Sequence, residues 1–496
     1  MRGALLTAAA CAAAACGGTS GTAGGAHSAT PASTGATADP PSASVTAPAS
    51  STYSAPPGAR FPAAAWPTFD QNPARTGVAP GLPPAGKLGI RWRGNLDGAV
   101  YGQPLVVGGD VIAATENDSV YALDAASGKV VWRQHLGTPV PRSALHGCGN
   151  IFPLGITGTP VYDQANGLVY AVAETLSPRP TSPGRPPGGY RFTLYGLSVT
   201  SGAVKVNRAF SLSTSHNDPA WDQQRPALTI AGGRVYAAFG GLDGDCGPYV
   251  GAVAGLPLSG AGPQVTFFTA TSREGAVWGT AGPVTGPRGD LWISIGNGAA
   301  DSPPYDGSDS VTALTPALSR ADFFAPATWA ADNAGDQDLG STQPALAAGN
   351  SAFIMGKRGT GYLLDTTGMG GIGGQRAQRQ ICAAYGAAAV SGSVVYEPCI
   401  GGGIAAVSVN AAASRISPLW RGPAATDGSP VLGGGAVWVT DYTDSPGVLY
   451  ELNPASGQTM ASIELGAGLP HFASLALADG TAYVSTFSGV VAVSGA

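Results

Sequence analysis

The chain has 496 residues, with 75 glycines and 41 prolines against only 11% charged and 8% aromatic residues, a composition that suits many short strands joined by tight turns and excludes a fold built on long helices. Its net charge of −5, with no basic run, argues against a nucleic-acid-binding surface. The four lysines, Lys87, Lys129, Lys205 and Lys357, are few enough that one in a candidate site is informative.

In chain order, the first element is a targeting segment. Arg2 supplies a minimal positive region and Ala4–Ala15 a short apolar one, too short to span a bilayer. It ends in Ala-Ala-Ala-Cys16-Gly-Gly, which resembles a bacterial lipobox and marks Cys16 as the expected lipidated residue of a signal peptide over 1–16. Cys11 is the weaker acceptor, and an ordinary signal peptide is the plainer alternative. Residues 17–60 are almost wholly Ala, Ser, Thr, Gly and Pro, the composition of a disordered linker. The chain is therefore expected outside the cytoplasm, anchored to the cell membrane as a lipoprotein or secreted. Contact with the membrane is expected through the lipid alone.

Beyond residue 60 one pattern recurs. Val120-Tyr-Ala-Leu-Asp-Ala-Ala-Ser-Gly-Lys-Val-Val-Trp132 reads as a half-buried strand, an acidic Ser-Gly turn and a second strand ending in tryptophan. Tyr195 and Tyr450 open further copies with a glycine seven residues on, and Tyr362-Leu-Leu-Asp365 is a looser copy that loses this glycine. Self-similarity at a period of ~40–50 residues signals stacked or radial units. Units start at Gly102-Gln-Pro-Leu105, Gly158-Thr-Pro-Val161, Arg225-Pro-Ala-Leu228, Ala281-Gly-Pro-Val284, Gln343-Pro-Ala-Leu346, Ala387–Val390, Gly428-Ser-Pro-Val431 and Ala473-Ser-Leu-Ala476. The last unit lacks an outer strand, which Ile90-Arg-Trp-Arg-Gly94 can supply. The expected fold is all-β: an eight-bladed β-propeller of four-stranded blades over 61–496, closed by that N-terminal strand. Trp92, Trp132 and Trp420 are expected to pack between blades. Of the four later cysteines, Cys382 and Cys399 are close in sequence and expected to pair across neighbouring strands, leaving Cys148 with Cys246, one of three possible pairings. Such a closed ring is expected to be a monomer.

The segment Glu116–Trp132 and the lead-in Trp66-Pro-Thr-Phe-Asp-Gln-Asn-Pro-Ala-Arg-Thr-Gly77 resemble the pyrroloquinoline-quinone (PQQ)-like propeller family. This family includes quinoprotein alcohol dehydrogenases and non-catalytic lipoprotein propellers. The resemblance implies site residues. Trp278 is similar to the tryptophan under the quinone, and Asn297, in Gly-Asn-Gly, to the asparagine that binds calcium. Asp336 and Asp338, in Gly-Asp-Gln-Asp-Leu-Gly, resemble the catalytic base. Lys357 resembles the cation on the quinone oxygens, and Glu174 is the only match for the calcium-binding glutamate. In that chemistry a hard cation polarises the quinone, a carboxylate takes the alcohol proton, and an aromatic face holds the planar ring. Each residue also has a plain structural role: Asn297 as a turn residue, the aspartates as loop acids, Lys357 as a solvated hairpin residue, Trp278 as packing between blades. The adjacent-cysteine disulfide of many quinoprotein alcohol dehydrogenases is absent, as is a haem domain. Three functions follow: a lipid-anchored binding or scaffold protein for an envelope protein, polymer or small ligand; a PQQ- and calcium-dependent dehydrogenase of an alcohol or sugar; and a glycan- or cell-wall-binding propeller.

Overall fold

The computed structural model describes residues 60–177, 189–443 and 445–495. The expected signal peptide with Cys16, and the expected linker up to residue 59, lie outside them. The described residues form eight sheets, antiparallel but for one short added strand, arranged as the blades of a β-propeller, with almost no helix. Their inner strands begin at Leu105, Val161, Thr229, Val284, Ala345, Ala389, Val431 and Leu475, within one residue of the position expected from each repeat start. The second strands are almost wholly buried, as in Ala436–Asp441, while the outer strands are largely exposed, as in Val130–His135 and Thr459–Glu464. This is the pattern of sheets sandwiched between neighbouring sheets and wetted only at the rim.

Ring closure is as the repeats imply. Gly89–Asn95 pairs antiparallel with Gly489–Ser494, placing Ile90 opposite Val493 and Gly94 opposite Val490, so the last blade takes its outer strand from the N-terminal side. Three blades carry an extra strand: Ala64–Trp66 on blade 1, Asp222–Gln223 on blade 3, and Gly371–Ile372, which runs parallel to Arg320–Ala325 of blade 4. The last of these explains the looser copy. After Asp365 the chain leaves blade 5 to pair with blade 4, then returns as Ala377–Gln380.

The hairpin glycine and the tryptophan belong to one device. Gly128, Gly202 and Gly457 have φ of +70°, +69° and +72°, a left-handed turn that favours glycine. A Cβ on them would lie 2.6, 2.6 and 2.3 Å from the rings of Trp92, Trp132 and Trp420, each of which comes from the outer strand of the preceding blade. Those indoles donate to Ala125 O, Val199 O and Pro454 O at 3.0, 2.9 and 2.8 Å. At these three junctions the hairpin of one blade is thus a socket for the tryptophan of the blade before it. Both disulfides form as expected, Cys148–Cys246 and Cys382–Cys399.

The lead-in segment fills the channel. Backbone amides of Tyr162, Thr285, Val390 and Leu432, from blades 2, 4, 6 and 7, donate to Pro67 O, Pro73 O, Thr76 O and Gly77 O at 2.7–2.8 Å. Arg75, fully buried, reaches blade 3 through Leu228 O at 2.9 Å and Thr229 Oγ1 at 2.7 Å. Gln103 receives Trp66 Nε1 and donates to Ser474 Oγ, both at 2.7 Å, which ties in blade 8. At the tip, Phe69 packs against Ala227, Ala281 and Ala387, three small residues at the starts of different blades. Truncating Phe69 leaves a void that rigid sheets cannot collapse into. Phe69→Ala is expected to cost about 3–5 kcal/mol in urea unfolding; a loss under about 1 kcal/mol overturns the channel-plug role.

Candidate functional site

At the mouth of the ring where the inner strands begin, a cavity of about 480 Å³ is lined by Trp278, Asn297, Asp338 and Lys357. Four of the expected site residues therefore converge. Trp278 precedes the inner strand of blade 4, and Asn297 follows its second strand, Leu291–Ile295. Asp338 lies on the crossing to blade 5, just before the helical turn Leu339–Ser341, and Lys357 follows the second strand of that blade, Ser351–Met355. The crossing is squeezed between two glycines. A Cβ on Gly296 would lie 2.0 Å from Asp338 Oδ1, and one on Gly356 2.2 Å from Asp338 O. Ile-Gly-Asn and Met-Gly-Lys are thus glycine motifs of close approach, and they bring the acid and the lysine together.

Asp338 Oδ1 accepts from Asn297 N at 2.9 Å, and Oδ2 lies 3.1 Å from Lys357 Nζ. Burial pushes the Asp338 carboxyl above the usual carboxylate range, with Lys357 and the Asn297 amide opposing that push. On Lys357 burial acts downward, but Asp338 and Asp336 outweigh it and hold the ammonium above the usual lysine range. Asp336 does not line the cavity. It sits exposed at the rim, where its Oδ1 accepts from both Lys357 Nζ and Asn297 Nδ2 at 2.6 Å. Lys357 Nζ also lies 5.9 Å from the Trp278 ring centre, a cation–π contact.

Glu174 is not among the lining residues. It is buried on blade 2, where Glu116, Asp118 and Asp222 act on it electrostatically; burial, reinforced by these acids, raises it well above the usual carboxylate range. Asn297 Oδ1 is sealed from solvent without a hydrogen-bond partner, while its Nδ2 is held by Asp336. Calcium takes six to eight oxygens, usually including carboxylates. Here the one carboxylate lining the cavity beside Asn297 is Asp338, already held by Lys357 and the Asn297 amide, and no group of three metal-holding side chains occurs among the described residues. The donor set does not fit calcium. A flat ligand fits better, because Trp278 offers the cavity a ring face.

Several lining residues were not foreseen from the repeats. Tyr385 and Phe472 stand 6.2 and 6.4 Å from Trp278 and stack on each other at 5.9 Å, while His471 continues the wall to Tyr101 at 5.4 Å. Burial, with Arg225 adding to it, lowers the His471 pKa to about 3, so its imidazole is neutral at physiological pH. Arg225 lines the same cavity from the start of blade 3. Its only sequence signal is an arginine in an otherwise small, apolar blade start. The rim loops carrying Asn150 and Asp243–Asp245 are joined by Cys148–Cys246.

A family model described as outer membrane protein assembly factor BamB matches residues 86–242. No curated protein matches the chain. Among solved structures, the quinohemoprotein alcohol dehydrogenase ADHIIG of Pseudomonas putida is 13% identical at a TM-score of 0.65, covering 87% of this chain and 80% of its own. A europium-containing methanol dehydrogenase is 14% identical at 0.62, covering 87% and 90%. BamB from Moraxella catarrhalis is 17% identical at 0.53, covering 82% and 97%. At these identities the likeness is one of fold. Repeats, ring closure and the shared architecture agree: the chain is an eight-bladed PQQ-like β-propeller.

Proposed function

We propose that the chain is a lipid-anchored, extracytoplasmic binding protein that holds a small, flat, polar ligand in the channel-mouth cavity at the cell envelope. The observation that carries this reading is the cavity itself, which combines the Trp278 face, the polar lining residues Asn297, Asp338 and Arg225, and a continuous aromatic wall. Binding pockets are typically apolar concavities with a few placed polar groups. No helix among the described residues is long and apolar enough to cross a membrane, and an anchor at Cys16 would supply attachment. An envelope protein or polymer docking over the same mouth is the scaffold form of the reading.

The second reading, a PQQ-dependent dehydrogenase of an alcohol or sugar, is favoured by the convergence of Trp278, Asn297, Asp338 and Lys357. Bound quinone would supply a hydride acceptor. The chain's own residues would orient the ring on Trp278 and hold charge at Asp338 and Lys357. One experiment separates the two. The purified chain is mixed with micromolar PQQ, with and without Ca²⁺, while quinone absorbance and dye-linked oxidation of alcohols and sugars are followed. The binding-protein reading expects no dye reduction. Stoichiometric quinone binding with turnover, both lost in Lys357→Ala and Asn297→Ala, overturns it in favour of the dehydrogenase.

A further inference from the structure

The cavity contains one cation that the protein does not neutralise. Arg225 is only 8% exposed, yet none of the ion pairs among the described residues includes it. Its guanidinium donates once, from Nη2 to His471 O at 3.2 Å. Nε is buried without a partner, while Nη1 makes no hydrogen bond and is not among the sealed atoms, so it is the end that lines the cavity. Phe472 and Tyr101 lie 5.2 and 5.9 Å from the guanidinium carbon, the weak compensation of cation–π contacts. Burial lowers the Arg225 pKa only to about 10, so it stays charged at physiological pH. Glu116 acts on it without pairing, and burial raises the Glu116 pKa to about 7. A buried, unpaired guanidinium is costly by itself and strongly favours an incoming anion.

The sign and number of the remaining charges define that anion. Lys357 is committed to Asp336 and Asp338, and His471 is neutral. Asp243 and Asp245 also face the cavity, so a second negative charge on the ligand would meet carboxylates instead of cations. The aromatic wall from Trp278 to Tyr385 and Phe472 calls for a flat apolar body. Resting on the reading of this cavity as a ligand site, we infer that its ligand class is a planar aromatic monocarboxylate, whose carboxylate is received by Arg225 while its ring lies along Trp278.

Isothermal titration of the full chain with three matched probes tests this: 2-naphthoate, neutral 2-naphthamide and dianionic 2-naphthyl phosphate. Naphthoate is expected to bind at least ~10-fold more tightly than either of the others, since a charge-assisted hydrogen bond contributes about 1.5–3 kcal/mol. Arg225→Gln is expected to bring naphthoate down to the naphthamide affinity, and Arg225→Lys to keep part of the preference. Equal binding of naphthoate and naphthamide by the unaltered chain overturns the Arg225 assignment and leaves the cavity reading standing. Tighter binding of the phosphate overturns the monocarboxylate class. Failure of all three probes overturns the cavity reading itself. The probe ratio in the unaltered chain decides even if Arg225→Gln does not fold, which near-ultraviolet circular dichroism shows.

Discussion

Lys357→Met is expected to destabilise the propeller by about 3 kcal/mol in urea unfolding at pH 7, because it strands a buried carboxylate. Lys357 Nζ is the cation beside Asp338 at 3.1 Å, and the Asp338 side chain is only 9% exposed. Without the ammonium, burial acts on Asp338 unopposed except by the Asn297 amide. The pH dependence gives the mechanism. Removing Lys357 raises the folded-state pKa of Asp338 further above its unfolded value, so the variant loses stability relative to the natural chain as pH rises from about 4. The deficit should therefore be small at pH 4 and full at pH 7. Adding Asp338→Asn to Lys357→Met should recover much of the loss, since the double variant has no charge left to strand. Additive losses in this cycle, or a deficit independent of pH, overturn the pair as the anchor of the site.

The second large effect is global. Glu397, on the second strand of blade 6, is fully buried, and neither carboxyl oxygen has a partner. Burial alone raises its pKa to about 8. A folded-state pKa above the unfolded one gives stability that is complete below the unfolded value, near 4.3, and is lost as pH rises towards the folded value. Glu116 and Asp118, raised mainly by burial to about 7 and about 9, carry the same sign. The melting temperature should accordingly fall between pH 5 and pH 8. Glu397→Gln removes one ionisable group from this linkage. Its stability relative to the natural chain should rise by ~1.4 kcal/mol per pH unit across that interval, reaching several kcal/mol at pH 8. Melts at pH 5, 6.5 and 8 check it, and a difference that stays flat across them would falsify the assignment.

Much of this architecture is legible in the chain because it is written locally and repeated. Every blade start expected from a Pro-Val, Pro-Leu or Pro-Ala step carries an inner strand, and the closing strand expected at Ile90–Gly94 is found at Gly89–Asn95. The tryptophan and hairpin glycine recur together because one fills the space the other leaves empty. The lead-in segment was legible only as a family signature. Its physical task, placing Phe69 on three alanines and Arg75 on blade 3, appears only when the ring closes around it.

The site divides in the same way. Trp278, Asn297, Asp338 and Lys357 lie on neighbouring blades 4 and 5, so their order along the chain already hinted that they meet. Arg225 and His471 are 246 positions apart, and no periodicity links them. Glu174 kept a plausible place in the sequence order, yet its strand carries it into the blade among other acids. Sequence by itself determined the blade count, the closure and the inter-blade sockets, since alternating burial and turn chemistry act over a few residues. Only the tertiary structure decided which side chains share the channel mouth, because a closed ring brings the starts of distant blades to one axis and leaves Arg225 there without a counter-charge.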